Sequence, residues 1–460
     1  MTGPAGQLSI VVNAPETIGR RPRIAIIGSG ISGLSAAWAL HRSCDVTMFE
    51  RNGYIGGHTN TVTFDAPEGP VPVDTGFIVY NELNYPNLTA LLAALGVASN
   101  PTEMHFSVSA RDRDIEYSSS GLSGLFADLR NLTRPRFFAM IADILRFYSD
   151  APELAASNDF ISLGDFLRSR RYGQTFIRDH LLPMAAAIWS CPVGAILNFP
   201  AKTLARFFIN HGLVEFGAPF QWRTLDGGSA SYIAPLTAGF RDRILLNTPV
   251  AAVTREAKGV RIVLQNGDVQ HFDQVVFACS APQARALLKD AGAEEARILS
   301  QFQTQENRAV LHTDPSLMPK RKRAWASWNY LSEHSGEHDL SVTYWMNKLQ
   351  RLKTQTNCFV TLNPTMEPKV DTVIAEFLYD HPVFDAAAIR AQKDIWSVQG
   401  SNRVWFAGAW LGYGFHEDGL QAGLAVAETI SDWRRPWAFD RAKERLARFE
   451  ETPAPEKIAA

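Results

Sequence analysis

The sequence predicts an α/β fold, with a βαβ unit near its start, a mainly helical block after it and two later blocks of strands. Three observations carry this. Ile24-Ala-Ile-Ile27, the turn Gly28-Ser-Gly30-Ile-Ser-Gly33, helical spacing from Ile31 to Leu40 and Val46-Thr-Met-Phe49 follow one another within about 30 residues, the pattern of a βαβ unit. Short apolar runs that read as buried strands return far downstream, at Val275-Val-Phe277 and Val404-Trp-Phe406. Between them, helical periodicity over about Pro86 to Gly217 gives way to a new block of strand-like segments.

The bulk numbers suit this. At 460 residues the chain exceeds one ordinary domain. Hydrophobic residues make up 46% and charged residues 20%, the balance of a chain with a large core. A formal net charge of −2 gives no global pull toward nucleic acid, and none is expected as a partner. Cys44, Cys191, Cys279 and Cys358 stand far apart, without a CxxC pair or a histidine cluster. They read as reduced thiols of a cytosolic protein with no metal site. The residues through Arg20 lack a basic start followed by an apolar core and read as a disordered leader, not a signal peptide. Met184 to Leu197 is interrupted by Ser190, Cys191, Pro192 and Gly194 and falls short of the roughly 20 residues that span a bilayer.

Element by element, Thr133-Arg-Pro135 predicts a helix start with proline in the first turn, running to about Tyr148. Ser162-Leu-Gly-Asp165 predicts a second start. Val250 to Val253 and Val260 to Leu264 read as strands, with Asn266-Gly267 as the turn that follows. The second block places strands at Ala324 to Tyr330, Ser341 to Met346, Cys358 to Leu362 and Thr372 to Leu378. A last helix is expected from about Gly419 to Trp433, and a loose tail after Glu451.

The glycine turn carries chemistry. Gly28 permits the tight turn, Gly30 lets backbone approach a pyrophosphate, and Gly33 allows close helix–strand packing. A helix N-terminus there offers unpaired N–H groups to phosphate, and Ser29, Ile31 and Ser32 are expected to bind the cofactor with the glycines. Glu50 follows Gly28 by 22 residues, where a carboxylate can accept from ribose hydroxyls. The plainer alternative is a tight turn with a surface glutamate. Just beyond lie Arg51-Asn-Gly-Tyr-Ile-Gly56-Gly57-His58 and Asp74-Thr75-Gly76-Phe77, which could return the chain over an extended cofactor or simply form flexible loops.

These residues resemble the N-terminal signature of the flavin amine oxidase and phytoene desaturase superfamily. A matching C-terminal segment is present: Phe406-Ala-Gly408-Ala409-Trp-Leu-Gly-Tyr-Gly414-Phe-His-Glu-Asp-Gly419-Leu420-Gln-Ala-Gly423. Asp226-Gly-Gly228, Thr248-Pro-Val250 and Val275-Val-Phe-Ala278-Cys-Ser280 resemble the family's middle segment. The resemblance implies a discontinuous Rossmann-type FAD-binding domain at 22–85, 225–290 and 400–435, a helical cap at 86–224 and a mixed substrate-domain sheet at 291–399, with 1–21 and 452–460 disordered. It implies backbone contact to the adenine at Val250, and a C-terminal helix whose positive end faces the flavin. Two departures stand out. The acidic residue that often follows Phe-Ala-Gly is Ala409 here, and no cysteine lies near the C-terminal motif, so non-covalent FAD is expected.

A flavin accepts hydride, so the protein must place a C–H bond beside it and exclude water. Trp410, Tyr413 and Phe415 could form an aromatic wall, with Trp189 and Trp328 as further candidates, although core packing explains any one of them equally. Where the family often carries a lysine, on Arg308-Ala-Val-Leu-His312, this chain has Arg308 and His312. His312, His416 and Glu417 are the candidate proton relays, with His58 and His381 as further histidines.

The C-terminal motif further resembles a bacterial branch associated with cyclopropane-synthase-like methyltransferases, which implies a fatty-acyl substrate, such as a methylated chain carried on phospholipid, and a desaturation. Arg130, Arg134, Arg136 and Arg146, interleaved with Leu129, Leu132, Phe137, Phe138, Met140, Ile141, Leu145 and Phe147, could lie on an anionic bilayer or form an ordinary packing helix; Arg168, Arg170 and Arg171 are similar. The expected place is the cytoplasm, with room for peripheral contact at the inner membrane face and for a homodimer. Two other functions stay open: an amine oxidase for a hydrophobic amine, and an FAD-bearing lipid-binding or scaffold protein without turnover.

Overall fold

The computed structural model describes residues 20–157, 161–189, 193–214, 221–332, 341–440 and 443–447. The ends expected to be disordered lie outside these residues apart from Arg20 and Arg21, and Arg20 is paired with Asp273 at 2.8 Å.

Five parallel strands form the first sheet, in the order Ile244–Leu245, Asp45–Phe49, Arg23–Ile27, Gln274–Phe277, Val404–Phe406. Ile24, Ala25 and Ile26 are fully buried, as a strand covered on both faces requires. The first helix, Ile31–Leu40, packs along the C-terminal helix, His416–Ile430. Glycine makes that contact tight: a Cβ on Gly423 would collide with the Ser32 carbonyl and the Ser35 hydroxyl. The strands Val250–Glu256, Gly259–Leu264 and Val269–Phe272 form a separate antiparallel sheet.

The second large sheet has seven strands in the order Val373–Val383, Gln303–His312, Phe359–Leu362, Ser341–Trp345, Trp328–Ser332, Phe106–Ala110, Ile115–Ser118. It is mixed, since Trp328–Ser332 pairs parallel with Phe106–Ala110 and its other pairings are antiparallel. Two expectations change here. Residues 106–118 were read as part of a mainly helical block, yet they form two strands of this sheet. The ten-residue strand Gln303–His312 was not anticipated at all.

The cap consists of Pro135–Ala156, Leu163–Ser169, the run from Gln174 to Trp189, and Ala201–Asn210. Pro135 opens its helix as expected, but the helix continues past Tyr148 through an internal Pro152. Ser162 caps Leu163–Ser169 by accepting from the Asp165 N–H at 3.1 Å. Phe137, Met140, Phe147, Ala151 and Leu154 turn inward to a core shared with Phe176, Phe207 and Phe208. No described helix is long and apolar enough to cross a membrane.

Candidate active site

One cavity of about 1330 Å³ runs from the glycine turn, between the parallel sheet and the mixed sheet, into the cap. It exceeds the roughly 300–1,000 Å³ of a typical single-ligand pocket, so it has room for a large cofactor and a substrate together.

The glycine-turn end is built for a dinucleotide. Gly28 sits at φ +105°, and a Cβ there would lie 2.7 Å from the Ala278 carbonyl oxygen. At Gly30, by contrast, a Cβ would meet nothing within 4 Å, leaving the approach to the backbone open. The first hydrogen bond of the helix runs from the Leu34 N–H to the Gly30 carbonyl (2.9 Å), so the preceding amides are free of that ladder and can meet an anion. Glu50 is buried and accepts from the Ser29 N–H (2.9 Å), the Ser29 hydroxyl (2.7 Å) and the Asn52 N–H (2.8 Å). Its carboxylate therefore fixes the turn as well as lining the cavity. Gly33 does not line it; a Cβ at Gly33 would strike the Gly28 carbonyl.

Ser29, Ile31, Ser32, Arg51, Gly56, Gly57, His58, Thr75, Gly76, Phe77, Val250, Ala278, Gly408, Ala409, Tyr413 and His416 all line the same cavity as Gly28, Gly30 and Glu50. Asp74 draws two of the sequence motifs together: it is buried and accepts from the Ser229 N–H at 2.8 Å, directly after Asp226-Gly-Gly228. Gly419 and Leu420 lie behind the wall instead. A Cβ on Gly419 would lie 2.8 Å from Ile31, and Leu420 is fully buried. The C-terminal helix starts at His416, three residues before Gly419 and earlier than expected.

The structure also brings Cys279 beside the C-terminal motif, where no cysteine was expected. It lines the cavity, and its carbonyl accepts from the Trp410 indole N–H at 3.1 Å. Burial pushes its thiol up to about 12, so it is not a thiolate at neutral pH.

Of the expected proton relays, His416 is the one that lines the cavity. Its Nε2 lies 2.8 Å from the Tyr232 hydroxyl and 3.2 Å from that of Thr59, and its ring stacks on Phe77 at 3.9 Å. Burial, then the neighbouring His58, lowers its pKa to about 3. Glu417 is elsewhere. It is fully buried and accepts from the Asn87 N–H (3.1 Å), the Asn87 amide (2.7 Å) and the Leu88 N–H (2.9 Å), capping the helix Pro86–Ala94. His312 is also outside the cavity wall. Its Nδ1 accepts from the Asp314 N–H (3.1 Å), which leaves Nε2–H to donate to Thr361 (2.7 Å). Arg308 points to Glu367 and Glu376, at 2.7 and 2.8 Å, and likewise leaves the wall.

The cap end holds residues that local sequence did not single out. His211 is buried and lines the cavity; its Nδ1–H donates to the Phe207 carbonyl at 2.9 Å. That bond fixes the tautomer and leaves Nε2 as a lone-pair acceptor, without a partner among the described residues. Burial is the main cause that lowers it to about 3. Tyr117, Tyr148, His180 and Tyr344 line the same end, with the expected Trp189 and Trp328. No sequence pattern marks His211 or His180, because only the fold brings them to this wall. Among the described lining residues there is no lysine, and the acidic ones are Glu50, Glu103 and Asp380.

Buried polar atoms without partners at His58 Nε2 and Ser280 Oγ, together with the open approach at Gly30, fit a large polar cofactor lying along this wall. Comparisons with known proteins agree. The AofH protein of Mycobacterium tuberculosis, named as a flavin-containing monoamine oxidase, is 26% identical over 271 residues, covering 56% of each chain. The chain thus spans about half the length of the curated relatives it matches. Among solved structures, putrescine oxidase bound to putrescine aligns with a TM-score of 0.65 at 15% identity, covering 89% of this chain and 98% of that one. Cyclohexylamine oxidase from Brevibacterium oxydans aligns at 0.65 and 18%, covering 89% and 100%. A fatty acid isomerase from P. acnes that produces CLA aligns at 0.62 and 16%, covering 90% and 99%. These likenesses show a shared fold. The model of the flavin containing amine oxidoreductases matches residues 31–351, and the chain belongs to that family of FAD-dependent oxidoreductases.

Proposed function

We propose that this protein oxidises a neutral, elongated apolar substrate, a fatty-acyl chain, by desaturation. The observation that supports this is the chemistry of the cap end of the cavity. Phe106, Met184, Ala187, Ile188, Trp189 and Phe207 line it, and the histidines there are held neutral by burial. Among the described residues, an ammonium group entering it would meet no carboxylate beyond the exposed Glu103, and desolvating such a charge unpaired is costly. An acyl chain pays no such penalty and gains roughly 0.8 kcal/mol per buried CH₂.

Bound FAD supplies the hydride acceptor. The chain's own residues do the rest. Phe415 and Tyr413 confine the substrate beside the C-terminal motif, and the aromatic cap excludes water. His211 Nε2, its lone pair fixed by the Phe207 carbonyl, is the acceptor offered to the proton released from the neighbouring carbon. His416, tied to Tyr232 and Thr59, holds the Phe77 wall.

The test is anaerobic reduction of the flavoprotein. Acyl lipids, methylated ones included, are expected to bleach the flavin absorbance. Bleaching by hydrophobic amines alone, with peroxide release in air, overturns the proposal in favour of an amine oxidase. No bleaching by either class, in protein that dithionite reduces, points to a lipid-binding protein without turnover.

A further inference from the structure

Nine large apolar side chains are exposed among the described residues, and five of them fall within residues 122–145: Leu122 (76%), Leu129 (63%), Leu132 (51%), Phe138 (47%) and Leu145 (43%). The helix Pro135–Ala156 explains why this is not ordinary packing. It already satisfies the cap core through Phe137, Met140 and Phe147, yet carries a second apolar stripe outward at Phe138 and Leu145. The Phe126 ring, 6.5 Å from Phe138, joins that stripe to the short helix Gly121–Leu125.

The charge around this ledge is one-sided. Residues 111–146 and 320–323 hold ten basic and five acidic side chains, a local excess of five positive charges in a chain of formal net charge −2. A shallow groove brings Leu129 and Arg130 against Arg321, Lys322 and Arg323. Arg130 and Arg134 are occupied by Asp114, at 2.6 Å each. Arg136, Lys320, Lys322 and Arg323, in contrast, have no ion-pair partner among the described residues. Exposed leucine and phenylalanine ringed by unpaired cations is the chemistry that binds the interface of an anionic bilayer.

The cavity reaches this face. Ser119 is exposed, lines the cavity and lies three residues before Leu122, and its hydroxyl accepts from the N–H of Phe106, another lining residue. We propose that residues 121–146 with 320–323 dock this protein on anionic phospholipid membrane, setting the cavity mouth at Ser119 against the bilayer. The docking does not depend on which bond is oxidised, so its test reads binding alone.

The experiment is co-sedimentation of the full-length, FAD-loaded protein with vesicles of phosphatidylglycerol mixed into phosphatidylcholine, against phosphatidylcholine alone. Binding is expected to the anionic vesicles and to weaken steeply between 0.05 and about 0.5 M salt. Lys322→Gln with Arg323→Gln is expected to lower the partition coefficient about 30-fold, from about 1 kcal/mol per basic residue near the surface. Leu122→Glu with Phe138→Glu is expected to abolish it, with flavin absorbance and melting temperature unchanged as the check on folding. Absence of binding to anionic vesicles overturns the proposal, as does equal binding by wild type and both variants. A dimer in solution that Leu122→Glu disrupts, with no vesicle binding, assigns the face to a second copy of the chain instead.

Discussion

Histidine is the residue on which the site's behaviour turns. His416, His381 and His211 are each lowered to about 3, mainly by burial, against an ordinary value near 6.5. Their neutral forms are the ones that fit the fold, so their contribution to stability is complete above about pH 6.5 and is lost as pH falls toward their folded values. Asp74 runs the opposite way: burial raises it to about 6, so its share is lost as pH rises through that value. The buried histidines, His180 and His312 at about 4 among them, outnumber the carboxyls raised by burial, Asp74, Asp179 and Asp418, which predicts a lower melting temperature at pH 5 than at pH 7.5, measured by calorimetry. His211→Asn is expected to flatten that acid limb; an unchanged pH dependence in the variant would count against a neutral, buried imidazole at this position.

Legibility at this scale followed locality. Gly28, Glu50 and Gly408 were readable because their chemistry depends on a short segment: a turn, the end of the next strand, the start of a motif. His211 was not, since its lone pair is fixed by Phe207 and its cavity wall is supplied by distant chain. Glu417 misled for a related reason. Its motif lines the cavity, but the carboxylate turns away to cap another helix.

Elements meet here through glycine and through borrowed caps. Gly423→Ala would push the C-terminal helix off Ser32 and Ser35, and overpacking of this kind costs about 1–3 kcal/mol. The expected outcome is lower flavin occupancy on purification, because the displaced helix also carries His416. Glu417→Ala would leave the Asn87 and Leu88 N–H groups without their acceptor, at about 1–3 kcal/mol for such a buried group. Its melting temperature should fall while turnover per bound flavin stays near wild type; a large loss of turnover per flavin would instead place Glu417 in the chemistry. The strands that escaped sequence reading share a physical cause. Phe106-Ser-Val-Ser-Ala110 buries Ser107 and Ser109, whose hydroxyls donate to Asn329 and Glu116, so polar positions that alternation assigns to solvent sit inside. Gln303–His312 begins with six polar residues and holds its apolar ones, Ala309, Val310 and Leu311, toward the far end.

At the scale of the molecule, two sheets and a cap close around one cavity, so whatever fills it ties all three together. Any ligand that binds the folded chain and not the unfolded one stabilises it by mass action, by about 2.7 kcal/mol at 100 times its dissociation constant. Adding FAD to flavin-stripped protein is therefore expected to raise the melting temperature in a concentration-dependent way, recorded by differential scanning fluorimetry. A temperature that does not move with FAD would contradict the cleft described here. The fold class was readable because the parallel strands keep their apolar runs wherever they occur in the chain. The cap's contribution to the mixed sheet was hidden, since pairing of Phe106–Ala110 with Trp328–Ser332 crosses more than two hundred residues.

The strand order of the parallel sheet also sets a schedule for biosynthesis. Arg23–Ile27 leaves the ribosome long before its neighbour Gln274–Phe277 and the edge strand Val404–Phe406. At translation rates of about 5–20 residues/s the wait for that edge is roughly 20 to 80 s. Through that interval the nascent chain holds Ile24, Ile26 and Val46 without their final cover, the kind of exposed apolar surface that chaperones exist to shield.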